Sequence, residues 1–112
     1  MDARAPPCND PSLENATAAY LIAGTQLTDP ALYEQYRAQA RPLAKRFGGA
    51  YIVRGGPMPA YETDLWSPGR LVVIRFESMG QAHRFYASEA YQRFLGLSRA
   101  SARRTVVIVE GV

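Results

Sequence analysis

The chain has 112 residues, 47% of them hydrophobic and 21% charged, which is ordinary for a soluble globular protein and makes one core the expectation. Its net charge of +3 comes from 12 Arg and one Lys scattered among 10 acids, with no basic run longer than the pairs Lys45-Arg46 and Arg103-Arg104, so the clustered basic tract of a nucleic-acid binder is absent. A single cysteine, Cys8, excludes an internal disulfide or a cysteine metal cluster, and no apolar run approaches the ~20 residues of a membrane span or forms a signal-peptide core.

Residues 1–17 hold three prolines and little that is apolar, which predicts a flexible leader before a domain spanning 18–112. Ala18–Thr25 is apolar and partly β-branched or aromatic, and reads as strand one, buried on both faces. Asp29-Pro30 then starts a helix, with the aspartate as N-cap and proline where a missing N–H costs nothing. Leu32, Tyr36, Ala40, Leu43 and Phe47 give that helix its apolar stripe, Pro42 predicts a kink near Arg41, and Gly48 supplies the left-handed stop.

Gly49–Arg54, fenced by glycines, reads as strand two, and Arg70–Glu77 is the strongest strand signal, strand three. Between them lies a Gly/Pro-rich loop longer than a hairpin needs, and long loops in compact domains tend to be functional. Ser78 and Gln81 form a capping box for helix two, which Ser88 recaps after a break. Arg104–Glu110 closes the domain as strand four.

The order strand, helix, strand, strand, helix, strand is a ferredoxin-like βαββαβ pattern. It predicts an α+β fold with a four-stranded antiparallel sheet and two helices on one face. Strands three and four carry apolar residues at consecutive positions, so the helix-free face also wants burial. The same face of a second chain covers it economically, which predicts a homodimer.

An ordered set of short motifs resembles a known family. It runs from Ala19-Tyr20 and Thr28-Asp29-Pro30 with Tyr33 and Tyr36, through Phe47-Gly48-Gly49-Ala50-Tyr51 and Arg54-Gly55-Gly56-Pro57. It continues with Trp66, Arg70-Leu71-Val72-Val73-Ile74, Ser88-Glu89-Ala90-Tyr91-Gln92 and Arg99, and ends at Val107-Ile108-Val109-Glu110-Gly111. The family is a domain of unknown function, number 1330, in the dimeric α+β barrel superfamily. The resemblance covers residue 18 to the C-terminus and implies a ferredoxin-like protomer, a dimer formed through the sheets and a small cavity near the sheet. Arg75 departs from the family pattern, where a carboxylate or neutral residue is typical before the phenylalanine, so a pocket lined by it would prefer an anion.

Candidate site residues follow from their chemistry. Arg54, beside bare glycine backbone, reads either as a fork for a substrate carboxylate or as an ion pair to Glu62 or Asp64. Glu62, in the long loop among aromatics, is the best candidate for proton transfer, and Trp66 is either a lid over a cavity or simple packing. His83, the sole histidine, is the alternative acid or base and the only basis for a haem reading. Its helix phase sets it beside the buried stripe of Ala82, Phe85 and Tyr86. Tyr91 brings a hydroxyl to the end of helix two, and Arg99 a guanidinium that needs an acceptor, either a ligand or a helix C-terminus. The predicted set is therefore Glu62, His83 and Tyr91 for catalysis, with Arg54, Trp66, Arg75 and Arg99 for binding, and no metal.

No Gly-x-Ser-x-Gly, P-loop, Rossmann fingerprint or zinc spacing occurs. The expectation is a cytoplasmic, cofactor-independent enzyme of isomerase, cyclase or dehydratase type. It would act on a small anionic or carbonyl-bearing metabolite by general acid/base chemistry, with no nucleic-acid or membrane partner. The alternative is a non-catalytic small-molecule-binding or stress-associated module.

Overall fold

A computed structural model describes residues 17–67 and 69–112 of the chain. The leader read over residues 1–17 falls outside them except for Thr17. The elements run β1 (Ala19–Leu27), α1 (Pro30–Arg46), β2 (Ala50–Arg54), β3 (Arg70–Phe76), α2 (Met79–Ala87), α3 (Glu89–Ser101) and β4 (Ala102–Glu110). The strands form one sheet in the order β2-β3-β1-β4, with every neighbouring pair antiparallel.

The caps show why these residues make these elements. The Asp29 side chain accepts the Leu32 N–H at 3.1 Å, and Pro30 opens α1. At the other end, Gly48 adopts φ +83°. Its N–H reaches the Lys45 carbonyl at 2.9 Å while the Gly49 N–H reaches that of Ala44 at 2.8 Å, the paired bonds of a Schellman stop. The helix runs through Pro42 without ending. That residue and Ala38, whose carbonyl loses its partner to the proline, both lie on the exposed face, where water can satisfy the freed oxygen.

Three helices replace the expected two, because Ser88 does more than recap. Its hydroxyl donates to the Phe85 carbonyl at 2.8 Å and accepts the Tyr91 N–H at 3.2 Å, so one side chain ends α2 and begins α3. This junction fixes where Tyr91 enters the core. At the far end of α3, the Ser101 carbonyl accepts the N–H groups of Thr28 and Asp29 at 2.8 and 3.0 Å and ties the helix to the β1–α1 turn.

The core lies between the helices and one sheet face. Leu21, Ile74 and Phe76 from the sheet are buried against Leu43, Phe85 and Leu95 from the helices. An aromatic cluster joins them, with Phe76 and Phe85 centroids 5.4 Å apart and Phe85 and Tyr91 centroids 4.8 Å apart. Among the described residues no helix covers the opposite face, and Val107 and Val109 of β4 are 49% and 47% exposed there. Strand alternation sends Arg104, Val106 and Ile108 inward and Val107 and Val109 outward.

Candidate active site between the sheet and the helices

The cavity that the fold encloses lies on the helix side of the sheet, over β1 and β3. Its enclosed part holds about 40 Å³, and the empty space including its open mouth is about 500 Å³. Room for only a few waters lies within, so a ligand must present one small polar group inward and leave the rest at the mouth.

Among the described residues five arginines line it, Arg37, Arg41, Arg54, Arg70 and Arg104, and no aspartate, glutamate or histidine does. Each arrives by a separate local device. Arg37 and Arg41 stand one turn apart on α1, beside the buried Tyr36 and Ala40. Arg54 owes its place to a bulge in β2. Tyr51 pairs with Ile74 but Val53 pairs with Val73, so Ile52 is an extra residue and Arg54 returns to the face of Tyr51 and Val72. In a regular strand, three residues after Tyr51, Arg54 would point to the other face.

Arg70 is held by its neighbours. Its Nη2 donates to the Arg54 carbonyl at 3.3 Å, and its guanidinium lies where a side chain on Gly55 would stand. Gly55 takes φ +73°, a conformation glycine reaches without steric cost, so it supplies both the turn and the space.

Arg104 forms the inner end. Its Nη2 donates to the Tyr91 hydroxyl at 3.1 Å, and its guanidinium carbon stands 5.0 Å from the centroid of the Tyr36 ring. The Tyr36 and Tyr91 hydroxyls are 2.6 Å apart and buried. Burial above all, reinforced by the facing Tyr91, pushes the Tyr36 phenol far above its ordinary range, and Arg104 does not reverse it. Burial likewise raises Tyr51. For Arg104, burial works against the charge, but the facing Tyr36 and Tyr91 outweigh it and hold the guanidinium protonated.

Proton counting sharpens the picture. Two hydroxyls carry two protons, and only one lies in the bond between them. Tyr91 already accepts from Arg104, and neither phenol has another acceptor among the described residues. Whichever tyrosine donates to the other, one phenolic proton is left for an occupant of the cavity.

Cationic capacity is also left over. Arg37 reaches Glu34 at 3.6 Å, yet its buried Nε–H has no partner among the described residues, and neither the Arg41 nor the Arg54 guanidinium has a hydrogen-bond or ion-pair partner among them. Unused guanidinium donors beside a free phenolic proton make an anion site that can also stabilise charge developing on an oxygen.

Of the sequence-predicted residues, the structure brings Arg54 and Tyr91 to this cavity and leaves five outside. Glu62 is exposed in the β2–β3 loop rather than packed among aromatics: Tyr61 is 90% and Leu65 fully exposed, and neither Glu62 nor Asp64 pairs with Arg54. Trp66 lies over Gly24 on the helix-free face, occupying the space of the missing Cβ, so it packs and does not cover the cavity. Arg75 points to that same face, paired across the sheet with Tyr20 and Ala50. His83 is exposed on α2, and Arg99 borders a separate cleft that shares only Arg104 with the cavity. Among the described residues no group of three or more His, Cys, Asp or Glu is placed to hold a metal ion, and no helix is long and apolar enough to cross a membrane.

Sequence reasoning passed over Arg104, Tyr36, Arg70, Arg37 and Arg41 as site residues. A signal existed for Arg104, in phase with Val106 and Ile108 on the inward face of its strand, and for Arg37 and Arg41, spaced by four beside the apolar stripe.

The family model described as Domain of unknown function (DUF1330) matches residues 18–112. No curated protein matches the chain. Among solved structures, a protein of unknown function from Rhodopseudomonas palustris superposes with a TM-score of 0.71 at 9% identity, covering 100% of this chain and 95% of that one. SnoaB, a cofactor-independent oxygenase from Streptomyces nogalater, superposes with a TM-score of 0.60 at 15% identity, covering 87% of this chain and 95% of that one. Both likenesses are likenesses of fold, the ferredoxin-like α+β sheet of four antiparallel strands.

Proposed function

The chain belongs to this family of unknown function, and we propose that its arginine-lined cavity binds a small anionic, carbonyl-bearing metabolite for cofactor-independent acid/base chemistry. One observation carries the reading. Arg104 and the Tyr36–Tyr91 pair present a fixed positive charge and one unclaimed phenolic proton to the same small volume.

A carbonyl oxygen at that point accepts the phenolic hydrogen bond while the substrate's anionic group rests on the guanidiniums. When a proton leaves the carbon beside the carbonyl for water at the open mouth, charge develops on the oxygen, where Arg104 and the phenol stabilise it. Return of a proton to that carbon, or to another along the conjugated system, completes an exchange or an isomerisation. That SnoaB is described as a cofactor-independent oxygenase lends support, since a protein of similar fold works without a cofactor.

One observation favours the second reading, a binding module without turnover: among the described residues no carboxylate or imidazole lines the cavity to take the carbon-bound proton. Pyruvate separates the two. In deuterium oxide the protein should speed loss of the pyruvate methyl proton signal over protein-free buffer, and Tyr36→Phe combined with Tyr91→Phe, which removes both phenolic protons, should slow that exchange about 10²-fold. Binding of pyruvate with no acceleration of exchange contradicts the enzyme and leaves the module.

We further propose that the helix-free face is covered by the same face of a second copy, supported by the exposed Val53, Val107 and Val109.

A further inference from the structure

We propose that the cavity's ligand is a short, planar dicarboxylate, one carboxylate at an inner pole made by Arg104 with the tyrosine pair and the other at an outer pole made by Arg70 and Arg54. This rests on the reading of the cavity as an anion site and adds the number and spacing of the charges.

The sheet sets the spacing. Thr25 of β1 pairs with Arg70 of β3 on one side and with Arg104 of β4 on the other, so the two arginines occupy one rung across three strands and project to the same face. Their backbones are two strand spacings apart, about 9–10 Å. Each guanidinium is then held by a different anchor. Arg104 leans to Tyr91 and Tyr36, while Arg70 leans to the Arg54 carbonyl at the opposite side of the rung. The two forks are therefore fastened at separate points of the cavity wall, one beside β2 and one at the tyrosine pair.

Between the poles the surface changes character. Ala23 and Val72, partners on the next rung, form an apolar floor in the cavity, and Tyr33 and Tyr51 line it. The ligand's middle is accordingly flat and apolar. Thr25, between the two arginines on the rung, is uncharged, and its buried Oγ1 has no hydrogen-bond partner among the described residues. A monoanion would satisfy one pole and leave the other to water, so a second carboxylate adds a charge-assisted contact that a monoanion lacks.

Fumarate and its monomethyl ester test this, since they share a shape and differ by one charge. Calorimetry on the full chain at constant ionic strength should give fumarate at least ten-fold tighter affinity than the ester. Arg70→Met should lower fumarate to the affinity of the ester while changing the ester less than two-fold. Arg70→Lys, which keeps the charge but not the fork, should lose at least three-fold for fumarate alone and serves if the methionine variant does not fold.

Equal affinities for the two ligands, or an Arg70 variant that weakens both alike, overturns the dicarboxylate. If pyruvate still binds in that case, the anion cavity survives and only this inference fails. If pyruvate, fumarate and the ester all fail to bind, both readings fail together.

Discussion

Tyr36 and Tyr91, 55 positions apart, place their hydroxyls 2.6 Å from each other in the core, and Arg104 donates to the second of them. The two phenols are unequal in this arrangement. Tyr91 accepts a charge-assisted bond, whereas Tyr36 makes one bond to a hydroxyl and offers its ring face to the guanidinium.

Removing the two hydroxyls should therefore have different costs. Tyr91→Phe leaves the half-buried Arg104 without its acceptor, and a hydrogen bond to a charged group contributes about 1.5–3 kcal/mol. Tyr36→Phe loses a neutral bond of about 1 kcal/mol and keeps the ring under the guanidinium. Urea unfolding of both variants checks the order, which reverses if Tyr36 is the principal partner.

Stability should fall in alkali before the folded tyrosine ionises. The folded Tyr36 phenol is raised above its ordinary value of 10.0, so the folded state keeps a proton that the unfolded chain gives up above that pH. The stabilisation is complete below about pH 10 and is lost as pH rises toward the folded value, at about 1.4 kcal/mol per pH unit for one proton. Tyr36→Phe should reduce that slope and leave the part that the buried Tyr51 contributes, and an unaltered slope in the variant contradicts the assignment.

Gly55→Ala should disturb Arg70 without touching it chemically. The substitution strains a positive-φ turn by about 1 kcal/mol and puts a methyl where the Arg70 guanidinium lies. Fumarate affinity should drop by at least three-fold at temperatures where the variant is folded. Unchanged affinity would mean that Arg70 does not need that position.

Val107→Lys together with Val109→Lys should keep the proposed dimer apart. Light scattering of the unaltered protein should give about twice the 12.4 kDa chain mass, and the double variant about half that value with its helical circular dichroism intact. A monomer before any substitution overturns the face-to-face pairing.

The element order was legible in the sequence because its signals are local: Asp29-Pro30, Gly48, Ser78 with Gln81, and Ser88 each act within one turn of chain. The site was less so, because it is built from long-range pairings. Tyr36 looks like one more stripe residue until Tyr91 meets it. Arg54 reaches the cavity through a bulge at Ile52 that no residue type announces. Glu62 and Trp66 drew notice for lying in a long loop, but the loop follows the outer surface and the helix-free face, away from the enclosed volume. Arg104 shows the opposite error, since its alternation phase was visible and its charge argued against burial.

The central claim is that ligand binds among the arginines and tyrosines of the cavity rather than at the exposed loop. Calorimetric titration of pyruvate into Arg104→Met and Glu62→Gln, each beside the unaltered chain, tests it most directly. Arg104→Met should lose at least ten-fold in affinity, the loss of one charge-assisted contact at a half-buried site, while Glu62→Gln should bind as the unaltered chain does. Retained affinity in Arg104→Met with a loss in Glu62→Gln would contradict the account and return the site to the loop.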